Sequence, residues 1–297
     1  MEYIINNYSL IGIGEFSHGI NDIWEYRYNF LKYCINKTNK NIIIFNEMSK
    51  WQADNIMNNT IWDYNLNKYI KYYNIKYDKY IDLNKNKPSY GILNQYCNHT
   101  TESIIFLKII KYIRKHIDRI KIIGIDNDKM DRDYYMYKMI MINLDNNNIN
   151  FFWAHNCHIS TNLLQKYNLK YIKNKNHKYF CGYYLKNKLK NQYCIILSTS
   201  YKGINRFNSY CNNNLCEKRI WYLKYFYHKF KHNENKKYIN ENKKYQLLTN
   251  YNEQLINFSN SYFNENKYGY SSIENNDDWT YILFYNEVNY LKPLYEY

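Results

Sequence analysis

The order of elements predicts an α/β fold, a largely parallel central sheet flanked by helices, on three observations. Short apolar runs at residues 9–13, 41–45, 121–125 and 151–154 alternate with longer stretches of helical periodicity. Each run stops at residues fit for acid–base work: Glu15 and then His18, Glu47, Asp126, and His155 followed by His158. Ligands of such sheets bind outside the carboxyl ends of the strands, so all six residues are expected along one edge. Finally, 297 residues can bury a sizeable core, and no internal repeat or clean boundary divides them. One domain over 1–297 is expected.

Residues 9–13 read as the first buried strand, ending at Gly14-Glu15. Asp22-Ile23-Trp24-Glu25 resembles a capping box with Asp in the leading position. The helix it opens would carry Ile20, Ile23, Trp24, Arg27, Phe30, Leu31 and Cys34 on one face. Arg27 interrupts that apolar stripe, so it must either meet a carboxylate or snorkel to solvent. NIIIF at 41–45 is a second strand, ending in Asn46-Glu47, and 51–116 reads as mostly helical, most clearly at 101–116. KIIGI at 121–125 is a third strand before Asp126, 131–144 a helix rich in Met and Tyr, and FFWA at 151–154 a fourth strand. Beyond it, 179–185 and 194–199 are strand candidates, 220–230 an aromatic helix, and 279–285 a closing strand. The polar, low-complexity stretch 231–245 reads as a loop or disordered excursion.

Composition narrows the function classes. Asn, Lys, Ile and Tyr dominate every segment, with 39 Tyr against 2 Pro, a pattern of AT-rich coding bias. A net charge of +15 would suit an anionic partner, but the lysines are scattered and no basic helix or RNA-binding motif organises them. A nucleic-acid partner is not expected. The seven cysteines are odd in number and irregularly spaced, and Cys211 and Cys216 lack a second pair to complete a zinc site. Reduced thiols in a cytoplasmic protein fit this usage. The N-terminus does not resemble a signal peptide, and no apolar run approaches a membrane span.

The chemistry lies in two stretches, GEFSHG at 14–19 and FFWAHNCHIS at 151–160. An imidazole fixed by a carboxylate can act as a general base, and Glu15 and His18 converge if the chain turns after its strand, a turn that Gly14 and Gly19 would permit. His155 and His158 can donate to an oxyanion or protonate a leaving group. Arg27 would hold a carboxylate or an anionic part of the substrate. Two other readings compete. Cys157, flanked by both histidines, could be a nucleophile, although strand neighbours point in alternating directions. Glu15, His18, Glu47, His155 and His158 also form a ligand set suited to zinc or manganese.

Taken together, GE-x-x-HG at 14–19 followed by Arg27, Glu47 after its apolar run, Arg132-Asp133 with Met136, and WAHN-x-H at 153–158 resemble the erythromycin esterase family, which includes succinoglycan-biosynthesis-like proteins. The closing stretch 278–294 is similar to the family's last strand and tail, so the likeness is collinear from about residue 8 to the end. The resemblance implies an α/β fold with a helical segment walling the cleft. It implies hydrolysis of an ester or lactone by water, with no covalent intermediate, no cofactor and no obligatory metal. His18 would be the base, with Glu15 and Glu47 orienting the water and Arg27 in the same cluster. His155 and His158 would stabilise the transition state, and Asn156 and Asp126 would contact substrate. Two departures stand out: Cys157 fills a position where the family has a small residue, and the segment after Glu47 is short for a macrolide-sized cleft. The expected activity is therefore a carboxylic-ester hydrolase acting on a small molecule. A metal-dependent hydrolase or a non-catalytic binding protein on the same scaffold are the alternatives.

Overall fold

In chain order, helix α1 (Glu2–Asn7) leads into strand β1 (Leu10–Glu15), α2 (Asn21–Lys37), β2 (Ile42–Ser49) and α3 (Lys50–Asn58). A hairpin of β3 (Thr60–Asp63) and β4 (Lys68–Lys71) comes next. The chain continues through α4 (Ile104–Lys115), β5 (Ile120–Asp126), α5 (Arg132–Asn143), β6 (Ile149–His155), α6 (Asn156–Ile159) and α7 (Cys181–Leu189). It closes with β7 (Tyr193–Cys211), β8 (Tyr222–Lys231), β9 (Tyr245–Leu248), the short pair β10 (Leu255–Asn257) and β11 (Gly269–Ser271), and β12 (Tyr281–Val288). This computed structural model describes residues 1–16, 20–58, 60–63, 68–71, 104–127, 132–161, 179–211, 222–231, 233–250, 255–257, 269–271 and 279–290.

Among the described residues the main sheet has eight strands, in the order β5-β2-β6-β1-β7-β12-β9, with β8 paired to β7. Strands β5 to β12 in that order are mutually parallel, and β8 and β9 run antiparallel to their neighbours. Both faces are covered, and the alternation of side chains shows how. Ile11, Ile13, Phe151, Trp153, Cys194 and Ile196 join one apolar core with α2 and α4. Their neighbours Leu10, Phe152, Ala154, Tyr193, Ile195 and Leu197 join the other, with α5 and α7. Continuous apolar runs, not alternating ones, are what a sheet buried on both sides requires. Among the described residues no helix is long and apolar enough to cross a membrane.

The structure departs from the sequence reading in several places. Helix α2 starts one residue before Asp22, with Ile20 at the cap position and no capping side chain. Asp22 is buried inside the first turn, where it accepts from the Asn289 N–H at 2.6 Å, and Glu25 pairs with Lys244 at 2.7 Å. Gly14 makes no turn: it lies within β1, and no glycine among the described residues has positive φ. Its role is a close approach, because a Cβ there would sit 2.3 Å from the Asn156 Oδ1.

Residues 181–189 form a helix and not a strand. Cys181, Leu185 and Leu189 recur every four residues against one core, a period masked by the β-prone tyrosines between them. Residues 222–231 are a strand and not a helix, because β7 runs on to Cys211 and pairs with them over ten positions. The segment 51–116 is helical at α3 and α4 but contains the β3–β4 hairpin, and 72–103 lie outside the described residues. The excursion at 231–245 is ordered in part. A 3₁₀ turn at Asn233–Tyr238 carries the buried Asn235, whose side chain donates to the Ser200 carbonyl at 2.8 Å.

Candidate active site

The carboxyl ends of β1, β2, β5 and β6 bring Glu15, Glu47, Asp126 and His155 to one edge of the sheet, and α6 adds His158 immediately beyond β6. Glu15 and His155 are register partners on neighbouring strands. Side-chain alternation sends Glu15 to the same face as Ile11 and Ile13, where α2 packs. Glu47 follows Ile43 and Phe45 to the opposite face, where α5 packs. A register irregularity between Asn46 and Ser49 re-aims the chain around Glu47. His18 and Gly19 lie outside the described residues.

On the α2 face, Glu15 accepts from the Trp24 indole N–H at 2.9 Å and lies 3.6 Å from the Arg27 guanidinium. Arg27 is wholly enclosed. It donates to the Ile13 and Ala154 carbonyls at 2.6 and 2.9 Å, tying the ends of β1 and β6 together. Its guanidinium carbon stands 4.4 Å above the Trp24 ring, and Trp24 meets Trp153 edge-on. Burial pulls the Arg27 pKa below its ordinary value, against the opposing pull of Glu15 and Glu47. The side chain that broke the apolar stripe therefore has a carboxylate partner and does not snorkel.

On the α5 face, Arg132 spans two carboxylates. It grips Asp126 with two bonds of 2.6 and 2.7 Å and reaches Glu47 Oε1 at 2.6 Å. Burial disfavours its charge, but Glu47, Asp126 and Asp133 outweigh that and hold its pKa above the ordinary arginine value. His158 sits between two acids, with Nδ1 2.7 Å from Asp133 Oδ1 and Nε2 3.3 Å from Glu47 Oε1. Burial works against its charge too, yet Asp133, Cys157 and Glu47 keep the imidazole pKa well above its usual value. Asp133 Oδ1 also accepts the Cys181 N–H at 2.9 Å, supplying an acceptor that the start of α7 lacks in its own cap residue.

Glu47 joins the two halves, since its Oε2 accepts the His155 backbone N–H at 2.8 Å. The His155 ring caps α6 by accepting the Cys157 N–H on Nδ1. Its proton therefore sits on Nε2, 3.2 Å from the Phe16 carbonyl that accepts it. Asn156 is buried, and its amide pairs with the Ser198 backbone in both directions, at 2.9 and 3.1 Å. Asp126 is engaged by Arg132.

Five of the six strand-end residues thus meet at one edge, with Arg27 among them. Arg132, Asp133 and Trp24 belong to the same constellation but carried no chemical role in the sequence reading. The adjacent Arg132-Asp133 pair opening a helix just beyond a strand end was the available signal. Among the described residues no three His, Cys, Asp or Glu side chains converge at metal-ligand spacing. A cavity of about 340 Å³ lies at the opposite, amino-terminal edge of the sheet, lined by Tyr8, Lys186, Tyr193, Trp279 and Thr280.

No protein-family profile matches the chain, and no curated protein matches it. Solved structures do. A Bacillus cereus protein is 13% identical over 99% of this chain and 92% of its own, with a TM-score of 0.62. A succinoglycan biosynthesis protein is 12% identical over 99% and 91%, at 0.63. An erythromycin esterase in its open conformation is 10% identical over 100% and 95%, at 0.62. At such identities the likeness is one of architecture, and it spans nearly the whole of each chain. The chain has the erythromycin-esterase-like fold.

Proposed function

We propose that this chain is a hydrolase that cleaves an ester or lactone of a small molecule by activated water, without a covalent enzyme intermediate and without a cofactor. The observation that carries the reading is Glu47. It is a buried carboxylate held between Arg132, His158 and the His155 N–H, on the sheet edge where this fold class binds ligands. In this reading His18, three residues beyond Glu15, is the general base. Glu15, fixed by Trp24 and Arg27, and Glu47 orient the base and the water. His158 supplies positive charge for the developing oxyanion or the leaving oxygen, and His155 assists at the same edge. Asp126 acts through Arg132, and Asn156 positions the strand ends through Ser198. We place the protein in the cytosol, where the four described free cysteines would stay reduced.

The test is a panel of activated esters, lactones and acylated sugars, run with the wild type and His18→Ala, with chelator present and absent. Hydrolysis that persists in chelator and is lost in a folded His18→Ala supports the reading. Full activity in His18→Ala removes His18 from the base role, and a panel without any turnover favours a binding protein.

A further inference from the structure

Four free cysteines are described, and they fall into two groups. Cys34, Cys181 and Cys194 are completely buried. Desolvation pushes the thiols of Cys34 and Cys194 up to about 12, and that of Cys181 well above its ordinary value. Cys157 is different. It is half-buried, at the second position of α6, and its Sγ lies 3.3 Å from His155 Nδ1. The far side of that ring is held at the Phe16 carbonyl at 3.2 Å. A sulfur, an imidazole to take its proton, and a third group orienting the imidazole are the parts of an activated thiol. Burial would raise the Cys157 pKa, but His158 and His155 bring it down to about 6. The proposed hydrolysis uses neither the sulfur nor its proton.

We propose that Cys157 is a modification site for hydroperoxides, through which oxidation switches the neighbouring hydrolytic edge off. The thiol passes its proton to His155 Nδ1, and the thiolate attacks one peroxide oxygen. A sulfur–oxygen bond forms and the O–O bond breaks. The departing hydroxide or alkoxide takes up the proton, so sulfur loses two electrons and the peroxide gains them. The His155 Nδ1 lies only 3.3 Å from Sγ, so an oxygen added to the sulfur crowds that ring, and the same residue's N–H holds Glu47. Displacement of His155 therefore reaches Glu47 directly.

The experiment treats the full chain with hydrogen peroxide at neutral pH, traps sulfenic acid with a dimedone-type probe, and maps adducts by mass spectrometry. Cys157 is expected to label at least about tenfold faster than Cys34, Cys181 or Cys194. His155→Ala is expected to slow that labelling several-fold. Labelling of Cys157 no faster than the buried three overturns the proposal. The activity arm rests on the hydrolase reading. Peroxide should abolish ester hydrolysis in the wild type, dithiothreitol should restore it, and Cys157→Ala or Cys157→Ser should stay active throughout. Equal loss in those variants also overturns the switch. If no ester is turned over at all, the hydrolase reading fails while the adduct map still decides whether Cys157 is the reactive thiol.

Discussion

Two arginines hold two glutamates at this edge in opposite ways. Arg27 has 0% of its side chain exposed, and Arg132 has 39%. Arg27 meets one carboxylate at 3.6 Å and two backbone carbonyls under a tryptophan ring, so its surroundings are dry and already filled by protein. Arg132 meets two carboxylates at hydrogen-bond distance and keeps an open side. The alternation of β1 and β2 sets this up, by sending Glu15 toward α2 and Glu47 toward α5. An enclosed ion pair costs desolvation and secures geometry, whereas a half-open one leaves its charge available to a ligand. The α2 side is thus the frame of the site, and the α5 side is its working face.

That division can be broken first at Arg27. Arg27→Met should destabilise the fold by about 3–5 kcal/mol in chemical denaturation, because it leaves the buried Glu15 charge without its cation, for which the Trp24 N–H is a weak substitute. Adding Glu15→Gln should recover part of the loss. If Arg27→Met is neutral alone, the pair is not what frames the strand ends. Arg132→Ala should do the reverse. A stability loss of about 1–3 kcal/mol is expected, smaller than at Arg27 because Arg132 has an open side although Glu47 and Asp126 are buried, with a fall of about 100-fold in kcat/KM on whichever ester is turned over. An Arg132→Ala protein that is as destabilised as Arg27→Met but, where still folded, fully active would erase the contrast.

Smaller effects sharpen it. Gly14→Ala should cost about 1–3 kcal/mol, since its Cβ would push Asn156 off Ser198. His158 supplies a pH test. Its folded pKa is raised above an unfolded value of about 6.5, so its charge stabilises fully below that pH. The contribution fades as pH climbs through the folded value. The stability gap between wild type and His158→Asn should therefore be larger near pH 5.5 than near pH 9. A gap that does not change with pH would mean that the fold leaves the His158 pKa where it is in the unfolded chain, and a gap that shrinks near pH 5.5 that His158 is held neutral.

Much of the frame was legible because it rests on local pattern. Apolar runs that halt at an acid or a histidine marked the ends of β1, β2, β5 and β6, and Arg27 betrayed itself by interrupting a helical stripe. What was illegible depended on distant partners. Asn156 reads as a site residue beside two histidines, yet its amide pairs with Ser198, 42 residues away. Asp133 serves His158 and the first N–H of α7 together, and nothing near it in sequence announces either contact. The strand at 222–231 needed the long extension of β7 to exist, and no local propensity contains that. Tyrosine abundance compounded the difficulty, because the same residue fills strands and helices alike and blurs their periods.

Glu47 is where the two faces meet, and it gives the most direct test of a hydrolytic centre at this edge. The measurement is kcat/KM for Glu47→Gln against the wild type on the best ester of the panel, with the thermal midpoint followed alongside. A loss of about 100-fold or more in a protein that stays folded is the predicted result. Hydrolysis at the wild-type rate in folded Glu47→Gln would contradict it.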